Sequence, residues 1–262
     1  MQLVCVNAWM GLRLAAFTEF IKKSAPETDI FCFQEVYSSR HALVNAQGEQ
    51  LNLLELLSRE LPGFRVAFHP KHLVEQPTLS GASVPLGNAI FVREVIPTLG
   101  SGGFFPIGKF EHAPDEHCFV GSVQFEKLQY GSGTLLVVNV HGMSEWPKGD
   151  SKKRLEQSLR IHEYLAAEPG PKLMCGDFNT FPDTRSIECV GQGLVNLMQK
   201  FNVETTRSQI NRQRHQGEPI MDTISDYVFT SPDITVDSFE IPELEVSDHL
   251  PLIMNFSLPK SA

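Results

Sequence analysis

The sequence contains no long hydrophobic run, and this shortage excludes one class of protein at the outset. None of its apolar stretches approaches the roughly 20 apolar residues that a membrane-spanning helix requires. The opening stretch MQLVCVNAWM lacks the basic segment of a signal peptide, and its apolar part is too short for one. We therefore expect a cytoplasmic protein without a transmembrane segment.

Cysteine is scarce and its spacing is uninformative for metals. The 262-residue chain has 5 cysteines, at positions 5, 32, 118, 175 and 189, and none forms a CxxC pair or a Cys/His ligand spacing. Three of them, Cys5, Cys32 and Cys175, lie inside apolar strand-like runs, where a reduced cysteine acts as a small hydrophobic residue. We expect neither a disulfide framework nor a zinc site.

Positive charge is also in deficit. The chain has 22 Lys and Arg against 31 Asp and Glu, a formal net charge of -9. This balance argues against a surface coated with positive potential for long nucleic-acid duplexes, although it leaves room for a local basic groove. Carboxylates that bind divalent cations would also contribute to this excess of negative charge.

Linkers, low-complexity tracts and strong internal repeats are absent from the sequence, so we expect one domain over residues 1–262. Apolar residues at helical spacing predict helices within 12–26, 49–63 and 150–168, and one or two short helices within 184–200. Strands follow strands too often for a regular β-α alternation, which favours an α/β fold of two packed sheets flanked by helices. The predicted strands cover 2–9, 28–36, 64–70, 87–93, 117–126, 134–142, 172–177, 225–231, 234–241 and 250–256.

Polar side chains close several of these predicted strands. If the strand ends converge, they bring together carboxylates, carboxamides and imidazoles beside segments that should be buried. Hard oxygen ligands of this kind suit Mg²⁺ or Mn²⁺, whereas zinc prefers more histidine or cysteine. The residues in question are Asn7, Glu35, His141, Asp177, Asn179, Ser247, Asp248 and His249.

In these positions the sequence resembles the endonuclease/exonuclease/phosphatase superfamily, which has the DNase I-like fold. The resemblance is carried by VNAW around Asn7, FQEV around Glu35, VNVHG around His141, GDFN at 176–179, SDYVF from Ser225 and the terminal SDH at 247–249. These motifs occur in the family's order over nearly the whole chain. The resemblance implies a four-layer α/β sandwich and divalent-metal-dependent hydrolysis of a phosphate ester.

The resemblance also implies a metal site that takes Mg²⁺ or Mn²⁺. By this resemblance, Glu35 is the first metal ligand. Asn7 would bind the metal or hold a metal-bound water, and Asp248 would complete the set of metal ligands. An alternative for Asn7 is a local turn that caps the first strand. Whether Asp177 serves as the base or as a second metal ligand stays open.

His249 is expected to act on the phosphate in general acid-base catalysis, since an imidazole titrates near working pH. Asp226 would fix its tautomer, with Asp222 as the competing candidate for that role. Asn179 would position the phosphate, and His141 would stabilise the developing negative charge on the phosphoryl group.

Two further residues are candidates for substrate binding. Asn88 lies in a GNAIF segment that resembles one usual in the family, and Trp146 follows His141 in a loop where it could stack on a base or cover a lipid head group. Plain packing of the loop is the alternative for Trp146. For Arg154, a structural salt bridge is preferred over a phosphate contact.

We expect a monomeric phosphodiesterase or nuclease that hydrolyses nucleic acid, preferably single-stranded or short, because nucleases are frequent in this superfamily. The alternative within enzymes is a phosphatase or phosphodiesterase acting on phospholipid head groups or small phosphorylated metabolites. A different class is a binding protein that kept the fold and lost the chemistry. Loss of chemistry normally replaces a metal or histidine position, whereas every expected position here carries a competent residue.

Overall fold

The computed structural model of the protein describes residues 1–111, 120–215 and 223–259. Within this part, the strands form two six-stranded sheets, each with parallel and antiparallel neighbours. The predicted α/β architecture of two packed, helix-flanked sheets is therefore confirmed. Asp222 and Cys118 lie outside the described residues, as does the start of the strand predicted at 117–126.

The first sheet combines the strands of the N-terminal third with the last two strands of the chain. It contains β1 (Gln2–Asn7), β2 (Ile30–Tyr37), β3 (Phe64–Gln76), β4 (Ala82–Arg93), β11 (Thr235–Glu240) and β12 (Leu252–Ser257). The order across the sheet is β11-β12-β1-β2-β4-β3. The parallel pair β1 and β2 lies at its centre, so both strands are covered on two faces.

The second sheet is built from the middle of the chain. It contains β5 (Thr98–Ile107), β6 (Gly121–Tyr130), β7 (Gly133–His141), β8 (Lys172–Asp177), β9 (Val195–Asn196) and β10 (Asp226–Thr230). The order is β5-β6-β7-β8-β10-β9. Here β7 and β8 are the parallel pair, so their C-terminal ends meet at one edge.

Helices cover the outer faces of the two sheets. On the first sheet lie α1 (Leu14–Ser24) and α2 (Leu53–Glu60), and on the second lie α3 (Lys152–Ala167), α4 (Arg185–Val190) and α5 (Leu197–Lys200), followed by α6 (Gln209–Arg214). Phe17 of α1 meets Phe33 of β2 edge to face, with ring centroids 5.4 Å apart. No helix among the described residues is long and apolar enough to cross a membrane.

Strand alternation in β1 and β2 decides where the polar strand ends point. Cys5 and Cys32 are paired neighbours that belong to the core between the sheets, while Val6 packs in the cluster on the helix side. Side chains two residues apart share a face, so Asn7 and Gln34 continue the row that faces the second sheet. The buried apolar run therefore delivers amide groups into the space between the sheets.

The segment between β3 and β4 differs most from the prediction. Both strands continue beyond the predicted 64–70 and 87–93 as one long hairpin, with a register shift between Pro70 and His72. Glycine-rich β5 was not predicted as a strand at all. Its Gly103 lies against the His69 ring, where an added Cβ would come within 2.4 Å of the ring carbon Cγ. A small residue is required there for packing, which hides the usual strand pattern.

Candidate active site

Three neighbouring strands of the second sheet bring ionisable side chains into a row. His141, the last residue of β7, pairs with Asp177 at the end of β8, and Asp177 in turn pairs with Asp226 at the start of β10. All three residues are at most 4% exposed. Parallel pairing of β7 with β8 and antiparallel pairing of β8 with β10 are what place both strand ends and a strand start at one edge.

The first sheet contributes the facing half of the cluster. Asn7 at the end of β1 donates from Nδ2 to Asp177 Oδ2 at 3.4 Å, which joins the two sheets. Its Oδ1 accepts from the Trp9 backbone N–H at 2.9 Å. Glu35 sits at a register shift of β2 with a left-handed φ of 54°, and its Oε1 lies 3.8 Å from His141 Nε2.

Asp226 and His249 form a buried pair. The His249 Nδ1 lies 2.9 Å and 2.8 Å from the two carboxylate oxygens of Asp226. The hydroxyls of Thr206 and Ser225 donate to Asp226 Oδ2 at 2.7 Å and 3.1 Å, so the carboxylate is held from both sides. This arrangement turns the other ring nitrogen, Nε2, towards Asp177 Oδ2, 3.8 Å away.

The GDFN turn folds its acid and its amide together. The backbone N–H of Asn179 donates to Asp177 Oδ1 at 2.8 Å, and Asn179 has a left-handed φ of 53°. Its side-chain Oδ1 accepts from Lys148 Nζ at 3.0 Å, while Nδ2 donates to the Gly142 carbonyl at 3.5 Å. The turn thus fixes both side chains before any ligand arrives.

Burial and charge set the protonation of the cluster. Burial, followed by the negative charge of Asp248, raises the pKa of the Glu35 carboxyl. Burial lowers the pKa of His141 well below its usual value, and Lys71 adds to this. Asp177 behaves in the opposite way: burial alone would raise its pKa, but His249 and the cations around it hold the pKa below its usual value.

Competing charges act on His249. Burial and Arg207 lower its pKa, but Asp226, Asp248 and Asp177 together raise the pKa above the ordinary histidine value. Asp248 has its Oδ1 3.9 Å from His249 Nε2 and accepts from the Ser247 hydroxyl at 3.3 Å. The SDH segment therefore presents its acid and its imidazole to the same space.

The donor set fits a divalent cation. Ligand atoms of Glu35, His141 and Asp177 lie within 4.8 Å of one another, and so do those of Asp177, Asp226 and His249. Burial raises the pKa of Glu35 first, and the negative charges of Asp248 and Asp177 raise it further, so a cation bound between these carboxylates would relieve their repulsion. Oxygen-rich sites of this kind are typical of hard divalent cations.

Two cations in the cluster were missed by the sequence analysis. Lys148 reaches Asn179 from the loop before α3, and Arg207 contacts His249 from the segment before α6. Arg207 is 4% exposed. A lysine in the SEWPKGD loop and an arginine in a stretch without motif give no sequence signal, because neither the carbonyl contacts of Arg154 nor the pairing of Arg207 with His249 follows a recognisable spacing.

The other predicted residues are less central. Asn88 is fully buried and donates to the backbone carbonyls of Asn139 and Ser122 across the sheets, so the structure does not bring it to the cluster and substrate contact stays a prediction. Trp146 is 53% exposed in the loop that carries Lys148.

Arg154 corrects an expectation. Its guanidinium donates to the backbone carbonyls of Glu145, Pro147 and Gly149, with 2.7 Å to Pro147 and 2.6 Å to Gly149. No carboxylate of the described residues forms an ion pair with it, so the structural role is real but the preferred salt bridge was wrong. Arg154 instead holds the loop that presents Trp146 and Lys148.

Two mixed sheets that open onto clustered carboxylates and histidines define a hydrolase fold. The chain belongs to the Endonuclease/Exonuclease/phosphatase family, whose characteristic sequence pattern matches residues 5–249. The family resemblance seen in the sequence is therefore confirmed over nearly the whole chain.

Individual relatives are more distant. The UPF0294 protein of Vibrio campbellii is 31% identical over 140 residues, which make up 52% of this chain and 45% of that protein. The chain spans about half the length of the curated relatives it matches.

Solved structures share the fold at low sequence identity. The endonuclease/exonuclease/phosphatase from Bacteroides vulgatus has a TM-score of 0.71 at 19% identity, with 98% of each chain covered. A mannosyl-6-phosphatase from Bacteroides thetaiotaomicron has a TM-score of 0.70 at 16% identity, covering 98% of this chain and 100% of that one. TDP2 of D. rerio, complexed with a single-strand DNA product, has a TM-score of 0.69 at 14% identity over 98% of both chains.

Proposed function

We propose that the protein is a divalent-metal-dependent phosphoesterase that hydrolyses phosphodiester bonds of single-stranded or short nucleic acid. The observation that carries the proposal is the meeting of Asn7 and Glu35 from one sheet with Asp177 and the Asp226–His249 pair from the other. Hydrolysis of a phosphate ester needs a positioned water, neutralised phosphoryl charge and a proton for the leaving oxygen. Groups of each kind occur in this cluster.

Metal binding is assigned to Glu35, Asp248 and Asn7. When bound there, Mg²⁺ or Mn²⁺ would supply positive charge to the phosphoryl oxygens. Glu35 and Asp248 are close enough for the charge of Asp248 to raise the pKa of Glu35, which supports a shared cation. The Asn7 amide donates a hydrogen bond to Asp177 and so connects the proposed metal ligands to the residues of the second sheet.

The remaining residues act on water and on the phosphoryl group. Asp177, kept ionised by its cationic neighbours, orients the attacking water or serves as its base. His249, aligned by Asp226 through Nδ1, exchanges a proton at Nε2 with the reacting group. Asn179 positions a phosphoryl oxygen and His141 stabilises charge that develops on it.

Substrate preference is supported by the surface next to the cluster. Exposed Trp146 lies two residues before Lys148 and offers an aromatic face on which an unpaired base stacks. The similar fold of TDP2 with a single-strand DNA product is compatible with such a substrate.

A phosphatase acting on small phosphorylated metabolites or phospholipid head groups is the second candidate. Lys148 and Arg207 both lie close enough to lower the pKa of Asp177, and two cations suit the higher charge of a phosphomonoester. The similarity to a mannosyl-6-phosphatase also accords with this candidate.

The direct test is a substrate panel with purified protein. Single-stranded DNA, RNA, duplex DNA, nucleotides, sugar phosphates and lipid head-group esters are incubated with Mg²⁺, with Mn²⁺ or with EDTA. We expect cleavage of single strands that EDTA abolishes and excess Mn²⁺ restores. Metal-dependent hydrolysis of monoesters alone would select the second candidate. If the folded protein cleaves no ester under any condition, the remaining hypothesis is a non-catalytic binding protein.

Metal binding is tested without catalysis. A cation that binds only the folded protein at 100 times its Kd stabilises it by about 2.7 kcal/mol, which raises Tm by roughly 5–10 °C in a chain of this size. We expect Mn²⁺ to produce such a shift in the wild type and in Glu94→Gln, an exposed control. Glu35→Gln should lose the shift, since it removes a ligand; an equal shift in all three proteins would contradict the assignment.

A further inference from the structure

Arg207 is an internal cation fixed beside the SDH segment by its backbone. It forms an isolated antiparallel bridge with His249, flanked by hydrogen bonds from Ser208 N to the Asp248 carbonyl at 3.1 Å and from Leu250 N to the Thr206 carbonyl at 2.8 Å. These bonds leave the side chain little choice of direction. Its guanidinium enters the cluster, where Nη1 donates to His249 Nε2.

The guanidinium has no counter-ion among the residues that the structure describes. No Asp or Glu there lies within the 4.0 Å of an ion pair with Arg207, and its Nε and Nη2 make no hydrogen bond to the described residues. The carboxylate of Asp226 is engaged by His249 and Thr206, and Asp177, whose pKa Arg207 helps to lower, forms no ion pair with it. Burying a cation without a paired anion is costly, so the arrangement favours a bound anion.

A second cation approaches the same place. Lys148 Nζ donates to Asn179 Oδ1 at 3.0 Å. Burial, and then the positive charge of Arg207, lower the pKa of Lys148 to about 8. Both cations lower the pKa of Asp177, and each contacts a residue of the cluster, Lys148 at Asn179 and Arg207 at His249. An anion bound between these two cations would offset their repulsion.

We propose that Arg207 and Lys148 together bind the non-bridging oxygens of the phosphoryl group that is attacked. The proposal rests on the function proposed above and adds two substrate-binding residues to it. Arg207 exchanges its contact with His249 Nε2 for a phosphoryl oxygen, and its planar fork is able to hold two oxygens at once. The Nε2 of His249 is then released to face the same phosphoryl group. A phosphodiester and a phosphomonoester both offer this chemistry.

Binding of inorganic phosphate to the metal-free protein tests the anion site without catalysis. Titration calorimetry in EDTA is carried out on the wild type, Arg207→Gln, Arg207→Lys and Lys148→Gln, with Arg185→Gln as an exposed control of the same charge change. We expect Arg207→Gln to weaken phosphate binding by about 10- to 100-fold, the range for one charge-assisted hydrogen bond. Lys148→Gln should weaken it less, and Arg185→Gln should match the wild type.

Arg207→Lys guards against a folding defect, because it keeps the charge and loses only the fork. It should retain part of the affinity. Equal phosphate affinity in folded Arg207→Gln and Arg185→Gln would overturn the proposal, as would a wild type that binds no phosphate. Phosphate binding that Arg207→Gln loses, in a wild type that hydrolyses no ester, would support the anion site and count against the proposed function.

Hydrolysis then separates the two substrate classes. The kcat/KM of Arg207→Ala is compared with wild type on bis(4-nitrophenyl) phosphate and on 4-nitrophenyl phosphate, with and without added guanidinium ion. We expect a loss of about 10²- to 10³-fold, as for removal of one preorganised donor, and partial rescue by guanidinium. A larger loss on the monoester assigns Arg207 to the additional phosphoryl oxygen, whereas an equal loss assigns it to an oxygen that both esters share. A rate unchanged from wild type on both esters would contradict the proposal.

Discussion

His249→Asn should reduce kcat/KM for the best substrate of the panel by about 10³-fold or more while the protein stays folded. The change keeps a side chain that hydrogen-bonds at the Nδ1 position but removes the titratable Nε2, which lies 3.8 Å from Asp177. Steady-state kinetics in excess Mn²⁺ measure the effect. His162→Asn on α3 serves as the control and should retain wild-type rates, since His162 lies outside the cluster.

Asp226→Asn distinguishes a catalytic imidazole from a structural one. Asp226 acts through His249, so its loss should lower kcat by about 10²- to 10⁴-fold with a smaller change in KM. The carboxylate is one of the groups that raise the pKa of His249, and its removal lowers that pKa. The limb of the pH-rate profile that reports His249 should therefore move to lower pH. A loss of rate with an unmoved profile would argue that Asp226 only supports the fold.

The strand-borne half of the site could be predicted because its geometry is local. Side chains alternate between the two faces of a strand, so the apolar residues before Asn7 or Asp177 determine which face of the sheet the polar side chain lies on. Parallel pairing then brings the C-terminal ends of neighbouring strands together. The register pairs His141 with Asp177 and Asn7 with Gln34, as convergence of strand ends requires. The sequence thus predicted the fold class, and the strand ends His141 and Asp177 that it named are paired neighbours in the second sheet.

The loop-borne half could not be predicted in the same way. Lys148 is placed by Arg154, which gathers three carbonyls of the preceding loop, and Arg207 is placed by pairing with the SDH segment some 40 residues further on. Neither relation has a periodicity or a spacing that a single sequence reveals. A lone buried cation is recognised only when its surroundings are known, because what distinguishes it is the missing counter-ion.

Asn88 is a different case, because its contact with substrate stays a prediction. Its GNAIF segment marks the family well, yet the side chain lies between the sheets and donates to Asn139 O at 3.2 Å. A residue is typical of a family either because it meets substrate or because the fold needs it. Position within a motif does not separate these reasons, whereas burial and hydrogen-bond partners favour the second for Asn88.

Among the glycines that the structure describes, Gly176 should be the one at which replacement by alanine is most damaging. Gly176 has a φ of 136°, and a Cβ placed on it would lie 1.9 Å from the carbonyl oxygen of Val140. Val140 is its partner across the β7–β8 pair, so relief requires the two strands to separate where His141 meets Asp177. We expect a loss of more than about 4 kcal/mol in the free energy of unfolding, the range reserved for identifiable steric or core defects.

Gly193→Ala separates this clash from the cost of backbone conformation alone. Gly193 also has a positive φ, 80°, but nothing lies within 4 Å of its added Cβ. Its replacement should therefore cost only about 1–2 kcal/mol, the strain of a left-handed non-glycine residue. Urea denaturation of both variants gives the comparison. An equal loss of unfolding free energy in both variants would mean that β7 and β8 can move apart at little cost. The close approach of His141 and Asp177 would then not depend on glycine at position 176.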